Sequence, residues 1–526
     1  MNYLRVSEML RLLILLLLSL SSILLATELK IASYNVENLF DDVRDGSEYD
    51  EYVPGKHNWT ARMVEIKLNH TAEVLCELDA DIVGLQEIEN EAILDRLQKR
   101  LKRVGCPYRY SAITHKKSAN IHVALLSRYP IIAKRDIRVN YSDRDRDILE
   151  ATVKIDNYPL TLFVNHWKAK SRGGKESRRI VYAKALAERI NTLSKEREYI
   201  ILGDLNCHYD EYRVINRSFD DSHGKTGINH ILKSIKGSDM LLEEDISLER
   251  EGHYNLWMES APAKRWSHKY YGHKGAIDHI MVPYKLFDGR GIDYVNNSFA
   301  VFKAPFLFTS KGWINTWDYS HGKHKGKGYS DHLPIFAYFS TDPYRIEKRK
   351  PASTKQIEDL YRVEVLDQPI KLKGCHVILK RGDDAIIKQS AQGMAIYLYG
   401  AARALEEGEC YDLVVSEISN YKGLKEITRI DYIQKQKSVD LQRYYLSQNA
   451  LKSKDPTLQN QIFVNLTGIY RNEHLEIDGK KIAIYFKKKR YIPKEGSRLK
   501  IVYAHLGYYR KPQLVIYNQK DFIEEG

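Results

Sequence analysis

Between Leu29 and Phe339, short apolar runs of strand length alternate with segments of helical period, and this limits the fold to layered sheet-and-helix architectures. Leu29 to Asn35, Leu160 to Asn165 and Tyr199 to Gly203 read as strands. Val64, Leu68, Thr71, Leu75 and Leu78 recur at helical spacing, and Ile82 to Leu85 follows as a buried strand. Ile180, Ala183, Ala187 and Ile190 form a second helical face just before the Tyr199 strand. Two packed sheets with helices outside, an α/β or α+β layered domain, fit this pattern.

A chain of 526 residues exceeds what one core serves. Composition changes after Tyr338, and the polar stretch Thr341 to Gln356 reads as a linker. Beyond it, EGECYDLVVSEISNYKGLKEITRIDYI from Glu407 is similar to EGSRLKIVYAHLGYYRKPQLVIYNQKDF from Glu495. Each is preceded by an apolar strand, Ala395 to Tyr399 or Ile482 to Phe486. Two small β-barrels in tandem are expected, resembling oligonucleotide-binding folds. The expected divisions are 1–26, 27–342, a linker 343–356, a barrel 357–433, a linker 434–460 and a barrel 461–526.

Arg5 and Arg11 accompany an uncharged Leu/Ile/Ser run from Leu12 to Leu25, short for a membrane span and suited to a signal peptide ending at Ala26. Leu24 is a poor small residue for cleavage, so an uncleaved anchor is the alternative. In both cases the body of the protein is exported, to the periplasm or the medium. Of five cysteines, Cys375 and Cys410 read either as a disulfide or as two buried thiols, and no zinc spacing occurs. A formal charge of +13 favours a polyanionic partner, and 37 tyrosines supply either stacking surfaces or half-buried strand positions.

Polar residues stand at the ends of apolar strands throughout the first domain. They are Asn35 in KIASYNVENLF, Glu87 in DIVGLQEIEN, His166 in LTLFVNHWKAK, Asp204 and Asn206 in YIILGDLNCH, Asp278 in GAIDHIMVP, and Asp331 with His332 in GYSDHLPIFAYF. Any one alone reads as a turn or cap. Together they suit phosphodiester hydrolysis, in which a hard cation takes oxygen ligands and histidines move protons. No GxSxG nucleophile motif is present.

On these motifs, GDxN and SDHxP above all, residues 28–340 resemble the endonuclease/exonuclease/phosphatase superfamily. Its members include pancreatic-type deoxyribonuclease, abasic-site endonucleases, neutral sphingomyelinases and inositol polyphosphate phosphatases. The resemblance, closest in plan to an exported bacterial nuclease branch, implies a four-layered α/β sandwich. It implies Mg²⁺, with Ca²⁺ or Mn²⁺ as substitutes, held by Glu87 with Asn35 and with Asp331 beside it. By the same likeness Asp204 and Asn206 orient the attacking water and the phosphate, Asp278 pairs with His332 as general base, and His166 is a second catalytic histidine. Abasic-site enzymes carry a tyrosine there, which argues against dedicated repair.

The chain departs from the better-known branches at Lys303 to Ser330, a stretch rich in Lys, His, Gly and aromatic residues. Lys323, Lys325 and Lys327 read there as phosphate contacts and Trp313 or Trp317 as stacking groups, against the alternative of a mobile loop. Lys168, Lys170, Arg172 and Lys175 form a second basic loop opening a helix and read as phosphate contacts, against the alternative of a flexible solvated turn. Ser127-Arg128-Tyr129-Pro130 reads as structural. The leading expectation is an exported nuclease acting on DNA, and on RNA as an extension, with low sequence preference. A sphingolipid or inositol phosphodiesterase is the alternative, for which Phe306 to Phe308 is the one candidate membrane contact. A binding protein with an inert site is the third.

Overall fold

The computed structural model describes residues 27–140, 145–237, 239–249, 251–270, 273–343, 352–436, 440–451 and 458–525. The N-terminal segment 1–26 and most of the 343–356 linker lie outside them. The chain divides into two compact units near residue 347, apart from 236–240 and 260–265, which group with the second.

The first unit is built on two large sheets. One is built on β1 (Glu28–Leu39), β2 (Ile82–Ile88), β3 (Tyr110–Ile113) and β4 (His122–Ser127). The other uses β5 (Ile131–Ile137), β6 (Ile148–Ile155), β7 (Tyr158–His166) and β8 (Glu198–Asp204). Late strands complete both: β9 (Tyr254–Asn255) and β10 (Asp278–Val282) join the second, β11 (Asp293–Tyr294) and β12 (Ile335–Ser340) the first. The orders are β11-β12-β1-β2-β4-β3 and β9-β10-β8-β7-β6-β5. The sheets pack face to face so tightly that a Cβ on Gly84 would stand 2.2 Å from Leu202 Cδ1.

Helices form the outer layers. The helix α1 (Ala61–Leu78) starts where Thr60 Oγ1 accepts from Met63 N–H, and α2 (Glu91–Arg103) where Asn90 accepts from Ile93 N–H. Both bury their apolar stripes on the first sheet through Val64, Leu68, Leu75, Leu94 and Leu97. The second sheet is covered by α3 (Glu176–Asn191). Of the face expected for it, Ala183, Ala187 and Ile190 pack on the core of this sheet. Tyr182, Ala183 and Leu186 are buried, while Ile180, Ala187 and Ile190 are half-buried. A fully buried Glu176–Arg179 ion pair lies on the same face, and Glu176 also accepts from Gly227 N–H at 2.9 Å. The result is a four-layer sandwich.

The cysteines take the second of the two readings for Cys375 and Cys410, and a disulfide forms elsewhere. Cys76 and Cys106 form the disulfide, with Cα atoms 5.6 Å apart, whereas Cys375 and Cys410 are buried free thiols.

The second unit holds two closed five-stranded barrels. The first comprises β13 (Ile370–Arg381), β14 (Asp384–Lys388), β15 (Ala395–Leu398), β16 (Cys410–Tyr421) and β17 (Leu424–Gln436). Its order is β13-β14-β15-β17-β16, closed by pairing of β16 with β13. The second comprises β18 (Ile462–Arg471), β19 (His474–Ile477), β20 (Lys480–Phe486), β21 (Arg498–Tyr509) and β22 (Lys511–Ile516). It repeats the order and the closure, β18-β19-β20-β22-β21 back to β18. The two similar sequence segments are thus the equivalent hairpins β16–β17 and β21–β22, each running over its own apolar core.

Candidate active site

Backbone irregularities aim the first polar residues. The β1–β2 ladder slips register after Asn35 and the β2–β4 ladder slips at Glu87. Glu37, Asn38 and Glu87 take φ of 54°, 58° and 69°, uncommon for residues with side chains. Such bulges turn a side chain out of the pleat, and strain of this kind gathers at functional sites. On β8, Gly203 (φ 133°) lies so near β7 that a Cβ would stand 2.0 Å from the Asn165 carbonyl oxygen, which explains the glycine before Asp204.

The strand ends converge. Asp204 Oδ2 lies 3.6 Å from His166 Nε2 and 3.9 Å from His332 Nε2. Glu87 Oε1 lies 3.7 Å from the same His166 nitrogen. The Asn35 amide donates to Glu87 Oε1 (3.1 Å) and Asp204 Oδ2 (3.2 Å), while its own oxygen accepts from Glu37 N–H. In this arrangement Asn35 clasps two carboxylates rather than presenting an oxygen donor. Asn206 donates its backbone N–H to Asp204 Oδ1 and its amide to Oδ2. Asp278 accepts from His332 Nδ1 and from the Ser267 hydroxyl. Ser330 Oγ donates to the Asn35 carbonyl and accepts from His332 N–H, which ties the SDH turn to β1.

Several participants escaped the sequence reading. Glu37, two residues past Asn35, accepts from Asp331 N–H (2.9 Å) and Trp317 N–H (3.2 Å). Lys67 of α1 is completely buried, with Nζ donating to the Tyr329 carbonyl. His268 Nε2 stands 3.6 Å from Asp331 Oδ2, its ring 4.7 Å from that of His332. Arg146 donates to the Trp167 carbonyl beside His166, and its charge acts on both His166 and Glu87. The lysine lies on a helix face that reads as core, and Arg146 in a charged run outside any strand. Only the Glu37 position carried a signal, its adjacency to a motif.

Burial and mutual charge set the protonation. Burial pushes up Asp204, Glu87 and Glu37, and a neighbouring carboxylate adds to each. Burial drives Lys67 down to about 8 against the pull of Glu37 and Asp331. Burial also lowers His166, and Arg146 and His332 lower it further, so it is neutral at neutral pH. Burial would lower His332 too, but Asp278, Asp331 and Asp204 outweigh it and hold the ring protonated. The expected general base is therefore the charged histidine of the pair in this state.

A hard divalent cation fits the donor set. Buried carboxylate oxygens crowd together and raise one another's pKa, which is what a cation would relieve. Ligand atoms of Asp204, Asp278 and His332, and of His268, Asp331 and His332, lie within 4.8 Å of one another.

The basic residues divide. Lys323, Lys325 and Lys327 are exposed. Lys168 is half-buried, and the Arg172 side chain lies outside the described residues. Lys170 is tied to the buried Glu211 at 2.6 Å, which removes it from the free phosphate contacts. The stretch after Lys303 forms a flap whose Leu307, Ile314 and Trp317 enter the core of the first sheet, the packing on the domain that the alternative reading expects of its aromatics. Trp317 is buried with its indole N–H on His324 Nδ1, so it cannot stack on a ligand. Both His324 nitrogens are engaged, the other facing the Glu51 carbonyl at 2.8 Å. Trp313 is exposed beneath Lys269.

A family model described as Endonuclease/Exonuclease/phosphatase family matches residues 30–341, more than half of the chain. The chain belongs to this family. The endonuclease/exonuclease/phosphatase family is one of hydrolases dependent on divalent metals, in keeping with the acidic clusters above. No curated protein sequence matches the chain significantly. Similar solved structures include a humanized D. rerio TDP2 with 14 mutations, at 15% identity, covering 59% of this chain and 98% of that one with a TM-score of 0.38. D. rerio TDP2 complexed with single strand DNA product covers 60% and 99% at 15% identity and a TM-score of 0.37. An AP endonuclease from Archaeoglobus fulgidus covers 60% and 99% at 14% identity and a TM-score of 0.37.

Proposed function

We propose that this protein is an exported nuclease, dependent on Mg²⁺, that hydrolyses the phosphodiester backbone of DNA, and of RNA, with low sequence preference. The observation that carries the reading is Asp204, one carboxylate held between His166 and His332 at 3.6 and 3.9 Å. Glu87 and Asp331 would hold the metal, which when bound supplies charge stabilisation to the phosphoryl oxygens.

The chain's own groups divide the remaining work. Asp204, raised by burial and oriented by Asn35 and Asn206, accepts a proton from the attacking water. As the water oxygen bonds to phosphorus the bond to the leaving oxygen breaks, and His332 supplies the proton that oxygen takes up. Asp278 keeps the imidazolium charged and fixes its ring, and Arg146 adds positive charge beside His166.

Nucleic acid is favoured over lipid by the formal charge of +13 and by the exposed Lys323, Lys325 and Lys327. Phe306 and Phe308 are half-buried and pack on the core of the first sheet, so the candidate membrane contact is occupied. Export is supported by the Leu12 to Leu25 run and by the Cys76–Cys106 disulfide, a bond of oxidising compartments. Protein lacking residues 1–26 should degrade plasmid DNA with Mg²⁺ and stop with a chelator. Hydrolysis of sphingomyelin with DNA left intact would overturn the reading.

A further inference from the structure

The two barrels are locked together along their equivalent hairpins. Arg510 N–H donates to the Lys422 carbonyl at 3.0 Å, and Lys422 Nζ to the Tyr509 hydroxyl at 2.7 Å. Gly423 (φ 97°) lies so near Tyr508 that a Cβ would stand 2.4 Å from its ring, so the close approach requires glycine. Deeper in the joint, the buried Lys388 donates to Gln461 Oε1 at 2.7 Å and the Tyr503 hydroxyl to the Ile378 carbonyl at 2.6 Å.

This joint frames a cleft of about 850 Å³ with tyrosines on both walls, among them Tyr397, Tyr399 and Tyr421 from one barrel and Tyr485, Tyr509 and Tyr517 from the other. Tyr399, Tyr421, Tyr485 and Tyr509 are 60, 53, 47 and 42% exposed, unusual for rings that could have been folded inward. His505 is stacked between Tyr397 (5.7 Å, 6°) and Tyr517 (6.2 Å, 14°), which stiffens the floor. Cations border the rings: Lys422 stands 4.4 Å from the Tyr509 centroid and 5.2 Å from that of Tyr421, and Lys487 lies 5.6 Å from Tyr517. Two acids also line the cleft, but Asp384 is taken by the Tyr397 hydroxyl and Gly400 N–H, and Glu426 by Ser419. Across residues 461–526, thirteen Lys and Arg face seven Asp and Glu.

We propose that this cleft holds single-stranded nucleic acid, its bases stacked on the exposed tyrosines and its phosphates facing Lys422 and Lys487. Planar faces suit unpaired bases, which a duplex hides, and the bordering cations suit a polyanion more than a neutral glycan. The proposal deepens the nuclease reading and rests on it, because it assigns the barrels to substrate capture.

The test uses the chain lacking residues 1–26 in chelator, which suspends cleavage, and fluorescence anisotropy with labelled oligo-dT and a duplex of equal length. The double variant Tyr399→Ala/Tyr485→Ala should lose about tenfold in oligo-dT affinity per ring removed. Duplex affinity, the melting temperature and Mg²⁺-supported hydrolysis of bis(p-nitrophenyl) phosphate should be unchanged, and Tyr399→Phe/Tyr485→Phe should bind as wild type. Unchanged oligo-dT affinity in the alanine variant overturns the proposal, as does an equal fall for duplex. Loss of binding to a glycan with oligo-dT binding intact overturns it as well. Absence of phosphodiester hydrolysis in the wild type would instead sink the nuclease reading and leave the oligo-dT result to judge the cleft.

Discussion

His332 Nδ1 meets both oxygens of Asp278, at 2.9 and 3.1 Å, and the Ser267 hydroxyl holds the same carboxylate at 2.5 Å. The pair is buried, so Asp278 determines both the orientation of the ring and its charge. Asp278→Asn keeps the shape and removes the charge. Its expected effect is a fall in kcat of about 10²–10⁴-fold with little change in KM. The alkaline limb of the pH–rate profile should move to lower pH, because the imidazolium loses the nearest negative charge that holds its proton. A pH profile that keeps its position in the variant would refute the assignment.

Glu37 joins two segments that the catalytic turn depends on. Its carboxylate accepts from both Trp317 N–H and Asp331 N–H, so Glu37→Ala leaves two backbone donors without their acceptor. A loss of about 1–3 kcal/mol in stability is expected for such orphaned groups, together with a fall in activity as Asp331 loosens. Denaturant unfolding and nuclease assays on one preparation check both. Full stability in the variant would mean that Glu37 does not hold the flap.

Lys170 and the flap lysines separate by their partners. Lys170→Ala leaves the fully buried Glu211 with the His208 N–H in place of its cation, which should cost about 1–3 kcal/mol and scarcely alter the salt dependence of DNA binding. Lys323, Lys325 and Lys327 changed together to Ala should leave the fold intact and raise KM. The slope of log K against log salt should fall by about 0.9 for each phosphate contact removed. If the two sets of variants behave alike, the division between structural and binding lysines is wrong.

The layered fold was legible because strand runs and helix stripes have distinct periods, and the strand-end residues because each sits at a break from apolar to polar sequence. Three of the four residues read as the face of α3, Ala183, Ala187 and Ile190, pack on the second sheet, whereas the buried Glu176–Arg179 pair beside them left no apolar signal. Hydropathy has no means of finding a salt bridge inside a core. Lys67 was hidden for the same reason, since a charged residue on an apolar stripe reads as a lapse in the pattern. The disulfide was missed because Cys76 and Cys106 become neighbours only once α1 and α2 pack on one sheet. Trp317 read as a ligand platform because nothing in a Lys/Gly-rich stretch shows that its indole N–H is claimed by His324.

The crowded carboxylates make the metal-free protein sensitive to pH in a defined window. Glu37 is pushed up to about 8 and Asp204 to about 7, both first by burial. A group whose folded value is raised contributes stability in full below its unfolded value, near 4, and loses it as pH rises through the folded value. His332, also raised, acts in the same direction. His166 is lowered and acts in the opposite sense, but only below its unfolded value near 6.5. Between pH 6.5 and 8 the carboxylates therefore govern, and the Tm in chelator should fall by several degrees across that interval. Mg²⁺ takes up ionised carboxylates and releases their protons, so its stabilising effect should be larger at pH 8 in absolute Tm and should flatten the slope. Thermal melts at both pH values with and without Mg²⁺, with calorimetry in two buffers to count protons, decide the matter. A Tm that is level or rising from pH 6.5 to 8 in chelator, or Mg²⁺ binding without proton release, would show that these carboxylates are not gathered as described.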